Sequence, residues 1–125
     1  MQKKTIETRV SIYAFEELSS QYQTLINKAK EQVKNAYAPY SGFQVGAALQ
    51  LENEMIFAGS NQENSAYPSG LCAERVAMFY ANSQCPDIPV KTIAIAAFTK
   101  GNFLPHQIFH DGFAETVVLA RVLLR

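Results

Sequence analysis

The stretch that decides the fold is a run of alternating residues near the middle of the chain. Residues 43–51 read FQVGAALQL, with an apolar side chain at every second position. The turn sequence ENE at 52–54 separates this run from a second short apolar run, MIFA at 55–58. Alternation with a period of two is typical of a strand that buries one face. Two such runs joined by a turn predict a β-hairpin.

Helical patterns flank this hairpin on both sides. Before it, apolar residues recur at helical spacing after the capping pair Ser19-Ser20, and Pro39 ends the pattern. After it, residues 72–81 read CAERVAMFYA and consist largely of good helix formers, so a second helix begins at or next to Cys72. The positions that carry the first pattern are Tyr22, Leu25, Ile26, Ala29, Val33 and Ala36.

The outer segments add one strand and two further elements. Residues 91–98, KTIAIAAF, are short and almost continuously apolar, as expected of a central strand buried on both faces. Residues 5–14 alternate loosely and predict an edge strand or an ordered arm, while residues 113–125 have mixed helical spacing and predict a third helix. The order of elements predicts a single α/β domain over residues 1–125, a three-layer α/β/α sandwich around a mixed sheet.

The composition narrows the classes of function. The 125 residues are 48% hydrophobic, which is enough for a core without disulfide bonds. Eleven basic residues balance eleven acidic ones, so we expect neither nucleic acid nor an anionic membrane as a partner. Two cysteines do not form a disulfide scaffold, and no apolar run is long enough to span a bilayer. We therefore expect a cytoplasmic protein that binds a small molecule or another protein chain.

A thiol, a carboxylate and a guanidinium meet at the predicted start of the second helix. These groups belong to Cys72, Glu74 and Arg75. Residues two apart diverge on a continuous helix, so Cys72 and Glu74 converge only at a helix N-terminus. The positive helix end and Arg75 are expected to stabilise a thiolate, which is the form of cysteine that binds metals. The sequence thus predicts a metal ligand at Cys72, with the Glu74 carboxylate free to face a metal-bound water.

Three motifs cover roughly the middle third of the chain. They are YAPYSGFQVGAA at 37–48, GSNQENSAY at 59–67 and CAER at 72–75. In order and spacing they resemble consecutive signatures of the zinc-dependent cytidine deaminases that use cysteine as the first ligand. The resemblance implies the fold of that family, a zinc cofactor and a homotetramer. It also implies hydrolytic deamination of cytidine or deoxycytidine to uridine or deoxyuridine, in pyrimidine salvage.

The same resemblance implies roles for individual residues. Glu74 would be the catalytic group that moves protons between the activated water and the pyrimidine ring. Phe43 would pack on the base, and Asn61 and Glu63 would hydrogen-bond the ribose. Each substrate-binding residue also has a structural reading. Phe43 is also suited to the core of its strand, Asn61 to a turn, and Glu63 to a solvated surface.

The sequence departs from the family pattern after the third strand. Family members have Pro-Cys-x-x-Cys-Arg-Gln opening a helix, whereas this chain has PHQIFHDGFAE at 105–115. His106 and His110 are four residues apart, on one face of a helix, and would complete a three-ligand zinc site with Cys72. Other readings remain open: the two histidines are ordinary surface residues, Asp111 is a ligand, or the C-terminal sequence is altered, shifted or truncated.

The chain also stops where family members continue into further strands. Missing C-terminal strands would leave residues 91–98 with an unpaired edge, which a partner subunit would be able to cover. Two classes of function follow from the sequence. One is a deaminase, for which Asn61 and Glu63 favour cytidine over another aminopyrimidine nucleoside such as blasticidin S. The other is a catalytically inactive protein of the same fold that serves as a binding or oligomerisation module.

Overall fold

The computed structural model describes residues 1–7, 11–104 and 108–111, the last four by their backbone. Within these ranges, two helices and five strands follow one another. They are α1 (Ser20–Gln32), β1 (Gln44–Leu51), β2 (Ile56–Ser60), α2 (Ala73–Gln84), β3 (Val90–Thr99), β4 (Asn102–Phe103) and β5 (Ile108–Asp111). Short 3-10 turns lie on either side of α1, at Phe15–Glu17 and Val33–Asn35.

The strands form one sheet in which β1 lies between β2 and β3. β1 and β2 make the predicted hairpin, with Ala48 opposite Ala58, and β1 pairs on its other side with β3, where Ala48 faces Ala94. All the strand pairings within the described residues are antiparallel, so the expected mixed sheet is not found there. The reason is the crossover: α2 carries the chain from β2 to β3 over β1, so the two strands that run in the same direction are not neighbours.

The outer edge of β3 is paired, which corrects the expectation of a free edge. β5 lies along residues 92–95, with Ile93 opposite His110, and β4 folds back on the end of β3, with Phe98 opposite Phe103. The chain returns along β3 and covers its backbone N–H and C=O groups, which an edge strand would leave exposed. The predicted third helix over residues 113–125 lies outside the described residues.

The two helices cover opposite faces of the sheet, which confirms the three-layer sandwich. Because side chains alternate along a strand, odd-numbered residues of β1 pack towards α2 and even-numbered ones towards α1. The cluster under α2 contains Ala47, Leu49, Leu51, Phe57, Ala73, Ala77, Ala81 and Ile93. The cluster under α1 contains Leu25, Ile26, Ala29, Val33, Ala48, Ala94 and Ala96.

Two glycines allow the helices to approach the sheet closely. A Cβ atom on Gly46 would overlap the carbonyl oxygen of Ala29 in α1. A Cβ atom on Gly59 would lie 2.7 Å from the backbone nitrogen of Ala77 in α2, well inside van der Waals contact. Any larger residue at position 59 would push α2 away from β2, and with it the helix start that carries Cys72.

The predicted helix boundaries hold at their N-termini. The carbonyl of Ser19 accepts the first hydrogen bond of α1, from Gln23, and Cys72 is the N-cap residue of α2. The first helix ends earlier than the sequence suggests, because the chain tightens into a 3-10 turn several residues before Pro39. Residues 5–7 and 11–14 form no strand, so the predicted edge strand is wrong in its described parts. None of the helices in the described residues is long and apolar enough to cross a membrane.

Candidate active site

Cys72 lies at the junction between a polar loop and α2. Its backbone is extended, with φ −73° and ψ 160°, and its carbonyl accepts the first hydrogen bond of the helix from the N–H of Val76, at 3.1 Å. The residue is exposed, Ala73 behind it is fully buried, and Glu74 is half-buried. The buried alanine anchors the first turn against the sheet, and the thiol stays accessible from the loop side.

The pKa of the Cys72 thiol is raised above its ordinary value. The largest cause is loss of hydration among the surrounding protein atoms, and Glu74 adds to it through its negative charge and a hydrogen bond. The backbone N–H of Arg75 and its guanidinium act in the opposite direction. The expectation of a stabilised thiolate is therefore wrong in its net direction, although the helix end and Arg75 act as predicted. A metal ion would have to displace the thiol proton.

The same causes indicate that the Cys72 and Glu74 side chains lie close together, as the sequence predicts. The Glu74 carboxylate raises the pKa of the thiol, which requires the two side chains to be neighbours. This convergence follows from the helix start, since Cys72 has an extended backbone and Glu74 is in the first turn. The sulfur of Cys72 can bind a metal ion, and the carboxylate of Glu74 beside it can accept and release a proton.

A short ladder of backbone hydrogen bonds holds the loop in front of α2. The N–H of Gln62 donates to the carbonyl of Leu71 at 2.8 Å, and the N–H of Leu71 donates back at 2.9 Å. On the other side of this segment, Tyr37 donates to Asn61 at 3.0 Å and Glu63 donates to Tyr37 at 2.8 Å. The ladder therefore joins the first sequence motif, the second and the residue just before the third.

Asn61 uses its side chain to hold the backbone at the start of β1. Its Oδ1 accepts a hydrogen bond from the N–H of Val45 at 2.8 Å, and its Nδ2 donates to the carbonyl of Phe43 at 2.9 Å. A side-chain amide has two N–H hydrogens and two acceptor lone pairs, so one of each remains for a ligand. Asn61 is thus a structural residue with hydrogen-bonding capacity left over.

Glu63 organises the turn that precedes Phe43. Its Oε1 accepts hydrogen bonds from the N–H groups of Tyr40 and Ser41, each at 3.2 Å. The turn is completed by Gly42, whose φ of 65° favours glycine and whose N–H donates to Ala38 at 3.0 Å. These contacts, together with its half-buried position, contradict the reading of Glu63 as a solvated surface charge.

Phe43 is exposed and lies one residue before β1. Its relative exposure is 38%, so the reading of Phe43 as a core residue of its strand is wrong. Its N–H donates to the hydroxyl of Ser41 at 3.0 Å, and its carbonyl is held by Asn61. Phe43, Asn61 and Glu63 therefore form one connected group, with an aromatic ring open to solvent beside polar atoms.

The two histidines predicted as ligands are not brought together by the described residues. His106 lies outside them, and His110 belongs to β5, opposite Ile93, and not to the start of a helix. The proposed helical face is therefore wrong, and the ligand roles of His106, His110 and Asp111 stay predictions. Within the described part of the chain, no three His, Cys, Asp or Glu side chains form a metal-binding group. Cys72 offers an exposed thiol there, and a cysteine sulfur is a common zinc ligand.

Sequence reasoning missed Gln62. Its backbone joins Tyr37 and Leu71, and its Nε2 donates to the carbonyl of Asn35 at 3.2 Å and to the hydroxyl of Ser60 at 3.1 Å. Its position between Asn61 and Glu63, the two residues predicted to bind the ribose, was the feature of the sequence that pointed to it. Gln62 aligns the segments that carry the site and needs no contact with a ligand to do so.

Comparison with known proteins agrees with this geometry. A family model described as the cytidine and deoxycytidylate deaminase zinc-binding region matches residues 19–100. The cytidine deaminase of Sporosarcina psychrophila is 45% identical over 93 residues, which cover 74% of this chain and 68% of that protein. The cytidine deaminase of Halalkalibacterium halodurans is 45% identical over 78 residues, which cover 62% and 58%.

Solved structures show the same fold. The cytidine deaminase from Burkholderia pseudomallei superposes with a TM-score of 0.58 at 40% identity and covers 68% of each chain. The cytidine deaminase from Mycobacterium tuberculosis superposes with a TM-score of 0.62 at 27% identity and covers 82% of this chain and 78% of that one.

The α/β/α sandwich, with a cysteine and a glutamate at the start of its second helix, has the fold class of the zinc-dependent deaminases. More narrowly, the chain belongs to the cytidine and deoxycytidylate deaminase family. Because the matched segment is the zinc-binding region of that family, zinc is the cofactor of this type of site. Cys72 lies inside that segment, and residues 105–115 follow it.

Proposed function

We propose that the protein is a cytidine deaminase, which hydrolyses cytidine or deoxycytidine to uridine or deoxyuridine in pyrimidine salvage. The observation that carries the proposal is the convergence of Cys72 and Glu74 at the start of α2, inside the family's zinc-binding region. The names of the relatives support cytidine as the substrate. The chain covers about two thirds or less of those proteins, so the activity of the whole protein is part of the proposal.

In the proposed reaction, water adds to C4 of the pyrimidine and the C4 amino group leaves as ammonia. The chemistry that zinc supplies when bound is activation of water as a nucleophile at neutral pH. Cys72 would hold the metal through its deprotonated sulfur. Glu74 would pass one proton of the water to ring N3 and then, as the C4 hydroxyl becomes a carbonyl, pass the second proton to the leaving amino group. Its position beside the thiol supports this role.

The connected group around Phe43 suits the rest of a nucleoside. The exposed ring of Phe43 can stack on the base, since every pyrimidine presents a π face. The remaining amide capacity of Asn61 and the carboxylate of Glu63 can bind ribose hydroxyls. The same residues already fix the turn and the strand that carry Phe43, so the surface for the base is formed before the substrate arrives.

We also propose a cytoplasmic homo-oligomer, a tetramer by the family resemblance. The outer side of α2 supports this, because Phe79 is 43% exposed and Tyr80 is 51% exposed one to two turns after the site. Exposed aromatic side chains at two consecutive positions of a helix are typical of a protein contact surface. Light scattering of the purified protein, compared with a Phe79→Ser variant, measures this directly, with a smaller assembly expected for the variant.

The test of the proposed function compares two glutamate variants. Glu74→Gln should retain zinc and fold but lose about 100- to 10,000-fold in kcat, because an amide does not transfer the proton. Glu52→Gln is the matched control, since Glu52 is exposed in the turn between β1 and β2. Turnover is followed by the loss of cytidine absorbance, and zinc is measured by elemental analysis.

Three outcomes separate the candidate functions. Turnover of cytidine that depends on Glu74 supports the proposal, and turnover of blasticidin S alone would move it to another aminopyrimidine nucleoside. A folded protein without stoichiometric zinc or turnover would instead identify the binding or oligomerisation module. Equal rates in Glu74→Gln and Glu52→Gln would remove Glu74 from the mechanism.

A further inference from the structure

Lys30 bridges two aromatic rings from distant parts of the chain. Its Nζ lies 5.6 Å from the ring centroid of Phe15 and 5.6 Å from that of Phe103. Phe15 belongs to the 3-10 turn before α1, Lys30 to α1, and Phe103 to β4. At this distance an ammonium group attracts the negative face of each ring. We call these three residues the Lys30 clamp.

Each aromatic residue of the clamp also makes contacts besides the one with Lys30. Gln23 donates to the backbone carbonyl of Phe15 at 2.9 Å, and the Phe15 side chain packs against the cluster under α1. Phe103 meets Phe98 edge to face, with ring centroids 5.1 Å apart. The clamp therefore joins two anchored structures, the N-terminal 3-10 turn and the β3–β4 hairpin, and does not end on loose side chains.

The β3–β4 hairpin borders the segment that carries Phe43. Phe98 lies opposite Gln44 in the sheet, and the Thr99 hydroxyl donates to the carbonyl of Gly42 at 3.4 Å. Phe98 therefore contacts the ring of Phe103, and in the sheet it pairs with Gln44, the residue after Phe43. A displacement of the hairpin would be passed to residues 42–44 through these two contacts.

We propose that Lys30 is a positioning residue for Phe43. By holding Phe103, it fixes the β3–β4 hairpin against residues 42–44 and so sets the place of the exposed ring that receives the pyrimidine. This inference rests on the proposed function, because its effect on substrate binding is measured with cytidine. If the binding surface has to become ordered when the substrate binds, the affinity for the substrate falls. Loss of the clamp should therefore raise KM and leave the proton transfers at Glu74 unchanged.

The test uses three lysine variants. Lys30→Met keeps the apolar stem and removes the cation, so KM for cytidine should rise about three- to ten-fold, the effect of one or two cation–π contacts, with kcat within about two-fold of the parent. Lys30→Arg keeps the cation and should restore the parent KM. Lys28→Met is the matched control, because Lys28 is an exposed residue of the same helix. Phe103→Leu should reproduce the effect of Lys30→Met from the other side of the clamp.

Hydrogen exchange followed by mass spectrometry gives a readout that needs no turnover. In Lys30→Met and Phe103→Leu, the amides of residues 98–104 should exchange faster than in the parent and in Lys30→Arg, because the hairpin opens more often. If the parent does not turn over cytidine, the proposed function fails, and the dissociation constant for uridine replaces KM in the same comparison. An unchanged exchange rate, or faster exchange without any change in KM or in uridine binding, would overturn the role of Lys30.

Discussion

The group around Phe43 and the helix start at Cys72 differ in how they are built. Asn61 and Glu63 are tied to the backbone by hydrogen bonds of 2.8 to 3.2 Å, so the proposed substrate side is already ordered by contacts within the described residues. Cys72 is exposed beside Glu74, and the described residues bring no two further metal donors to it. Changes on the substrate side should therefore affect stability and binding together, whereas changes at Cys72 should act through the metal.

Removal of the Cys72 thiol is expected to have the largest effect on stability. Cys72→Ala should lose zinc and, with it, the stabilisation that a metal bound only by the folded state supplies. That stabilisation is about 4 kcal/mol when free zinc is about 1,000 times its dissociation constant. The melting temperature of the variant, recorded with and without a chelator, measures the effect.

Cys85→Ala is the control for the loss of a thiol, because Cys85 follows α2 at its other end. The parent and this control should respond to the chelator, and Cys72→Ala should not. A parent protein whose melting temperature ignores the chelator would show that zinc does not stabilise the fold.

Removing the Asn61 side chain is expected to have an intermediate effect. Asn61→Ala deletes two hydrogen bonds and leaves the N–H of Val45 and the carbonyl of Phe43 without that partner, which should cost about 1–3 kcal/mol of unfolding free energy. KM for cytidine should rise as well, since Phe43 loses its support. Urea denaturation and steady-state kinetics measure the two effects.

Asn64→Ala is the matched control, because the Asn64 side chain accepts one exposed hydrogen bond from Ala66. Its loss should cost less than that of Asn61 and leave KM unchanged. If Asn61→Ala were as stable as Asn64→Ala, the substrate side would not be the preformed group described above.

The pKa of Cys72 gives the smallest predicted change. In zinc-depleted protein with a Cys85→Ala background, the rate of alkylation should rise with pH, with a midpoint above that of an ordinary cysteine. Glu74→Gln removes a negative charge that disfavours the thiolate, so the midpoint should move to lower pH. Arg75→Ala removes a positive charge that favours the thiolate, so the midpoint should move to higher pH. Shifts of the opposite sign would show that these charges do not act on the sulfur as described.

The sequence by itself determined the hairpin, the helix starts and the convergence of Cys72 with Glu74. These features depend on local geometry: the period of a strand, the capping of a helix and the direction of side chains in its first turn. The alternation of residues 43–51 was enough to place β1, and the position of Cys72 before a run of helix formers was enough to make it the N-cap residue.

The tertiary structure alone decided features that depend on residues far apart in the chain. The antiparallel pairing of β3 with β1 follows from where α2 carries the chain, and no local pattern encodes it. The hydrogen bonds of Asn61 and Glu63 join segments about 16 to 23 residues apart. The sequence predicted the wrong direction for the Cys72 pKa shift. The helix N-terminus and the charge of Arg75 can be read from the sequence, but the loss of hydration depends on which atoms pack around the sulfur.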